Sequence, residues 1–170
     1  MFKKLLSYFV VGIILSSCVT SYADSEKPQN AGDYFSRGNA YCDKGEYDMA
    51  IEDYNQAIGL DPKYASVYYH NRGVAYENKG EYNMAIEDFN QAIGLDPKYV
   101  SAYFGRGNAY AAKGEYDMAI EDYNETIRLD PKDTSAYINR GIAYKNKGEY
   151  DMAIEDYNQP IRLDPKYANA

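Results

Sequence analysis

The chain has 170 residues and a net charge of −8, with 45% hydrophobic residues, twenty-one tyrosines, two cysteines and one histidine. That apolar content supports a packed core and excludes a disordered chain, while two cysteines without a C-x-x-C pair exclude a disulfide scaffold and thioredoxin-like or zinc motifs. The acidic balance, with an isoelectric point near 4.7, argues against nucleic acid and anionic lipid surfaces as partners.

Residues 1–23 differ from all that follows. Lys3 and Lys4 precede an eleven-residue apolar run from Leu5 to Leu15, too short for a spanning helix, which needs about twenty residues. This pattern reads as a secretory signal peptide. Two cleavage points overlap. Leu15-Ser16-Ser17-Cys18 resembles the lipobox of bacterial lipoproteins, which implies a cut before Cys18 and lipidation of that cysteine; Ser21-Tyr22-Ala23 resembles an ordinary small-x-small site with the cut after Ala23. The first is preferred, because Cys18 sits directly behind the apolar run, and Val19 after it implies an outer-membrane destination. Either cut leaves 16 basic against 26 acidic residues. The expected location is extracytoplasmic: periplasm or outer membrane as a lipoprotein, alternatively secreted.

Residues 24–30 form a polar linker, and from Ala31 the sequence repeats. The segment from Lys44 to Tyr64 recurs at 79–99 with only Asn83 and Phe89 changed, and twice more in looser form. Prolines recur at Pro62, Pro97, Pro131 and Pro165, and glycines at Gly38, Gly73, Gly107 and Gly141, at spacings of 35, 34 and 34. A fixed period of this length marks a repeat array. The units are 31–64, 65–99, 100–133 and 134–167, with a tail at 168–170.

Each unit reads as two helices. In the first, Tyr34, Gly38 and Tyr41 lie on one face, and the glycine admits a close neighbour. Lys44-Gly45 ends it, the cation suiting a helix C-terminus and the glycine taking the left-handed turn. The second opens near Tyr47-Asp48, with Asp48 expected to accept from free backbone N–H groups. Its stripe is Ala50, Ile51, Tyr54, Ala57 and Ile58, and Asp61-Pro62 stops it. One such pair cannot bury its stripe, whereas stacked copies can.

The residues Tyr34, Gly38, Tyr41, Ala50, Tyr54, Ala57 and Pro62 stand where the 34-residue tetratricopeptide repeat has its characteristic positions, with Arg37 where leucine is common, and the chain resembles that family over 31–167. The resemblance implies an all-α fold: an α-solenoid of four stacked antiparallel helix pairs in a right-handed superhelix, first helices lining a concave groove. It implies an adaptor or scaffold that holds peptides or protein surfaces, not an enzyme.

Three departures carry expectations of their own. One extra residue between Pro62 and Gly73 puts His70 in an irregular insertion and predicts a longer connection or a bulged first turn. Pro160 replaces Ala57, Ala92 and Thr126 of the other units and predicts a kink or break near 158–160, at a cost of about 3 kcal/mol. The sequence stops at Ala170 without a polar capping helix, which suggests either a partner or self-association surface at that end or a frayed, degenerate last repeat.

The partner-binding face expected on the first helices comprises Phe35 and Asn39, then Tyr69, Asn71 and Asn78, then Phe104 and Asn108, then Ile138, Asn139 and Asn146. This resembles the asparagine ladder with which some tetratricopeptide grooves hold a peptide main chain, amides both donating and accepting. The plainer reading is that Phe35 and Phe104 pack on adjacent helices and Asn39 and Asn108 are solvated copies. No lysine run suggests a clamp for a terminal carboxylate. Arg37, Arg72, Arg106 and Arg140 are expected to pair with Asp53, Asp88, Asp122 and Asp156 rather than to form a phosphate stripe. Pairs such as Glu52-Asp53 diverge by about 100° on a helix and make neither a catalytic couple nor a calcium loop. One histidine supplies no catalytic or metal set, and Cys42 is matched in the other units by Glu77, Ala111 and Lys145, a partly exposed column with no shared task, so neither cofactor nor metal is expected.

The expected function is therefore a protein-binding adaptor of the bacterial cell envelope using its concave groove. The competing expectation is a self-associating assembly factor or secreted effector that uses its C-terminal end.

Overall fold

The computed structural model describes residues 28–163. The leader, its cleavage points and Cys18 lie outside the described residues, as do Pro165 and the tail. Eight α-helices follow one another: α1 (Ala31–Asp43), α2 (Tyr47–Leu60), α3 (Ala65–Asn78), α4 (Tyr82–Leu95), α5 (Val100–Ala112), α6 (Tyr116–Leu129), α7 (Thr134–Lys147) and α8 (Tyr150–Leu163). They form four antiparallel pairs, each helix packing on its neighbours in chain order. Beyond those, first helices touch first helices, α1 on α3, α3 on α5 and α5 on α7, whereas no two of the second helices touch. The odd-numbered helices are thus crowded together and the even-numbered ones splayed apart. The stack is a solenoid whose inner wall is α1, α3, α5 and α7.

Helix ends follow the local chemistry. Asn30 caps α1 by accepting from the Asp33 N–H at 3.0 Å, and Asp133 caps α7 through the Ala136 N–H at 3.1 Å. The glycines at 45, 80, 114 and 148 each turn the chain at φ between 77° and 85°, the left-handed geometry that releases a helix end. After α2, α4 and α6, Asp61, Asp96 and Asp130 leave helical geometry for the extended backbone that the following proline favours, and each accepts from the N–H two residues on. Asp48 does not cap α2, whose start has no side-chain cap. It sits in the first turn and binds Lys79 of the next unit at 2.6 Å.

The extra residue of the second unit adds to the start of α3, which begins at Ala65, eight residues before Gly73, where α5 and α7 begin seven before Gly107 and Gly141. A 3₁₀ turn at Pro62–Tyr64 leads straight into α3, and the register is restored by Tyr69, which lies under Arg72 as Tyr103 lies under Arg106. His70 consequently stands inside a regular helix, at the register of Phe35, Phe104 and Ile138. Pro160 does not break α8, which runs through it to Leu163. It forfeits the bond that its nitrogen would make to the Asp156 carbonyl, but its ring is buried in the slot that Ala57, Ala92 and Thr126 fill elsewhere.

The core is a set of clusters, one per junction. Ala50, Ile51 and Tyr54 of the first unit enclose Ala75 of the second; Ala85, Ile86 and Phe89 enclose Ala109; Ala119, Ile120 and Tyr123 enclose Ala143. The aromatic ring of each second helix presses on the glycine of its own first helix: a Cβ on Gly107 would lie 2.8 Å from the Tyr123 ring, which is fully buried and has no room to retreat. Each unit also buries one carboxylate. Asp53, Asp88, Asp122 and Asp156 are 2–5% exposed, and each receives two hydrogen bonds of 2.6–2.8 Å from the arginine sixteen residues earlier, in the pairing expected from the sequence. A tyrosine three residues before each arginine stacks beneath its guanidinium.

Two predictions follow from this packing. Gly107→Ala loses about 1–3 kcal/mol of stability through overpacking against Tyr123, whereas Gly94→Ala, where a Cβ meets nothing within 4 Å, gains up to about 1 kcal/mol of helix propensity; urea unfolding of both variants measures the contrast. His70, set between the Phe89 and Tyr99 rings, is held below the ordinary imidazole value of 6.5 by burial, the Ser101 backbone pulling more weakly upward. The unfolded chain therefore binds the proton first as pH falls, and stability is lost below 6.5 toward the folded value. Burial of Glu77 raises its carboxyl and acts with the opposite sign at lower pH, so the comparison is made against His70→Phe. The stability of His70→Phe relative to the parent rises on going from about pH 7.5 to about 5.5 in thermal melts; an unchanged difference refutes the assignment.

Candidate functional site

On every first helix, the residues three before, one after and four after the glycine recur at four- and three-residue steps and form a single face. They are Phe35, Asn39 and Cys42 on α1; His70, Val74 and Glu77 on α3; Phe104, Asn108 and Ala111 on α5; Ile138, Ile142 and Lys145 on α7. Because these helices stand side by side on the crowded wall, the four faces make one surface across the solenoid.

Its floor is set by phenols from the second helices. Tyr54, buried to 1% exposure, reaches between the first helices and donates to Asn39 Oδ1 at 2.8 Å, with Cys42 Sγ at 3.4 Å. Tyr123 donates to Asn108 Oδ1 at 2.9 Å, and Asn139 Nδ2 donates to the same oxygen at 3.0 Å, joining α5 to α7. Burial pushes both phenols well above their ordinary value. In the second unit the tyrosine is Phe89 and the asparagine is Val74, so the hydroxyl and its acceptor disappear together. Asn39 and Asn108 are therefore structural acceptors as well as groove residues.

The other expected residues divide. Phe35 is half-buried against the Tyr54 and Tyr68 rings, at 6.0 and 5.2 Å, and Phe104 against Tyr123 at 5.9 Å; each offers an edge rather than a whole ring. Asn71 and Asn78 each donate back to the carbonyl four residues earlier, at 2.8 Å, which leaves both Oδ1 atoms outside that bond. Ile138 is 41% exposed, and Asn146 is exposed near the end of α7. Tyr69 is set apart from these: its ring lies under Arg72, on the side of α3 that faces α4. Sequence reasoning missed His70, Val74 and Ile142 as groove residues and gave the column of Cys42, Glu77, Ala111 and Lys145 no shared task, although counting from the glycines places them all on this face. His70 Nδ1 is buried with no hydrogen-bond partner among the described residues.

Along the groove the charge is uneven. Asp43 and Glu77 lie toward the first units, and Lys145 toward the last. Among the described residues no group of three or more histidine, cysteine, aspartate or glutamate side chains is placed to hold a metal, and no helix is long and apolar enough to cross a membrane.

Comparison with known proteins agrees with this architecture. The family described as "TPR repeat" matches residues 38–80, 73–114 and 107–148, and that described as "Tetratricopeptide repeat" matches 134–167. Among solved structures, a MamA protein is 32% identical with a TM-score of 0.75, over 82% of this chain and 76% of that one. The first TPR of Spaghetti (RPAP3), bound to the HSP90 peptide SRMEEVD, is 30% identical with a TM-score of 0.67, over 72% of this chain and 96% of that one. The second TPR domain of human RPAP3, in complex with the HSP70 peptide SGPTIEEVD, is 32% identical with a TM-score of 0.62, over 65% of this chain and 91% of that one. No protein of curated function matches the chain. With its period, its helix pairs and its inner wall accounted for, the chain belongs to the tetratricopeptide repeat family, a scaffold that binds proteins and is typically not enzymatic.

Proposed function

We propose that this protein is an adaptor that holds an extended peptide or protein segment along the inner wall of the solenoid. The observation that carries this reading is the face that Phe35, Phe104, Ile138 and Ile142 share across the adjacent first helices, flanked on α3 and α7 by the amides of Asn71, Asn78, Asn139 and Asn146, each one residue past a column of that face. Amides satisfy a peptide backbone irrespective of its sequence, and the apolar edges add contact area. The RPAP3 domains, whose structures contain bound peptides, support a peptide as ligand. Asp43 and Glu77 at one end and Lys145 at the other favour a segment whose own charge runs in the opposite sense. The leader pattern, Lys3 and Lys4 before the apolar run and the Leu15-Ser16-Ser17-Cys18 sequence, supports work in the bacterial cell envelope, with Cys18 as the lipidated residue.

The groove is tested by affinity capture from envelope extract with the parent chain and the triple variant Asn71→Ala, Asn78→Ala, Asn146→Ala. These amides hold no buried group, so circular dichroism stays helical while the captured protein is lost; retention of the same protein on the variant sinks the groove reading. The structural asparagines behave differently. Asn39→Val leaves the Tyr54 hydroxyl without its oxygen acceptor and costs about 1–3 kcal/mol, and adding Tyr54→Phe restores most of that stability, as Val74 with Phe89 does in the second unit. A double-mutant cycle by urea unfolding measures the coupling.

A further inference from the structure

Every internal junction of the solenoid is made by the same contacts. An alanine and a tyrosine of the incoming first helix cover the isoleucine and aromatic ring of the preceding second helix: Ala75 and Tyr76 on Ile51 and Tyr54, and likewise at the two later junctions. The incoming arginine, besides its own aspartate, donates to an asparagine of the preceding unit, Arg72 to Asn55, Arg106 to Asn90 and Arg140 to Asn124. The incoming lysine reaches back to an aspartate at two junctions, Lys79 to Asp48 and Lys147 to Asp117, both at 2.6 Å; at the other, Asn83 replaces the aspartate and Lys113 holds only Glu115.

The two end faces of the described residues carry the two halves of that junction. On α8, Ile154 is 58% exposed and Tyr157 36%, where Ile51, Ile86 and Ile120 are 8–9% and Tyr54, Phe89 and Tyr123 at most 1%. Beside them Asn158 and Asp151 are exposed, at the positions of Asn55 and Asp48. On α1, Ala40 is exposed although Ala75, Ala109 and Ala143 are 0–1%. The Arg37 side chain is 42% exposed, against 18–20% for Arg72, Arg106 and Arg140, and Lys44 is exposed where the other lysines are paired.

We infer that a second copy of this chain docks its α1 on α8 of the first, head to tail, with Ala40 and Tyr41 over Ile154 and Tyr157, Arg37 donating to Asn158, and Lys44 paired with Asp151. The argument is continuity: apolar fit, hydrogen bond and charge pair all recur in the register of an internal junction, so the occupant fits without rearrangement. The contact is heterologous, each copy using a different face, so it propagates instead of closing into a two-fold dimer. It is independent of the groove reading, since neither face lies on the inner wall.

Sedimentation of the full chain across the micromolar range tests it, with Ala40→Glu blocking one face and Ile154→Glu the other. Both positions are exposed in the single chain, and circular dichroism checks that both variants fold. The expected result is a parent whose mean mass climbs past two chains with concentration, two variants that are each monomeric, and a one-to-one mixture of the variants that forms a dimer and nothing larger. In a second pair, Lys44→Glu weakens association at least severalfold and Asp151→Lys in the same chain restores it. A parent that stays monomeric overturns the inference and assigns the faces to other occupants, residues outside 28–163 included. So does an Ala40→Glu chain that associates as the parent does, which indicates α8 meeting α8, and so does a mixture that remains monomeric.

Discussion

A carboxylate buried in every helix pair governs what surrounds it. Taking an aspartate from water costs several kcal/mol, repaid only by excellent geometry. Here each is met by both arms of an arginine fork, and the fork is held flat by a tyrosine beneath it. The same guanidinium reaches an asparagine of the preceding unit at all three internal junctions. One residue thus fixes how a first helix lies on its own partner and how the pair lies on its predecessor. Such a pair adds little over a well-packed apolar alternative; its effect is that a first helix not seated on the aspartate of a second helix strands a charge.

The curvature follows from side-chain sizes. Glycines on the first helices let the rings of the second helices come close, and the first helices meet one another, whereas the second helices do not touch one another. A wall of crowded helices backed by splayed ones bends toward the crowded side, and a continuous face results from units that have no pocket singly.

The fold was legible because it is written four times. The period, the helix breaks at the Lys-Gly pairs and before the prolines, and the arginine–aspartate partners all rest on residues whose roles are local or repeated. Legibility fell where a residue departs from the pattern. The extra residue before Gly73 suggests a longer connection or a bulged first turn, but α3 takes it up as one more helical residue at its start, and α8 runs through Pro160 unbroken to Leu163. The groove was read only in part. Asn39 and Asn108 looked like free ladder rungs, because nothing in a linear pattern shows that a tyrosine fifteen residues later reaches through to the same amide. The coupled change to Val74 and Phe89 in the second unit was the available clue.

The near identity of the segments 44–64 and 79–99 bears on how the chain finds its native order. A first helix that meets the wrong second helix finds the same aspartate, the same alanines and nearly the same ring, so mispaired states lie close in energy to the correct one. Crowded unfolded chains are then prone to exchange whole hairpins. The polar pairing at the groove floor sets the second unit apart from the first: Asn39 opposite Phe89 has no hydroxyl to receive, and Tyr54 opposite Val74 has no amide to accept its proton. A substitution that looks like drift in one unit serves as an address label, telling otherwise interchangeable segments which neighbour is theirs.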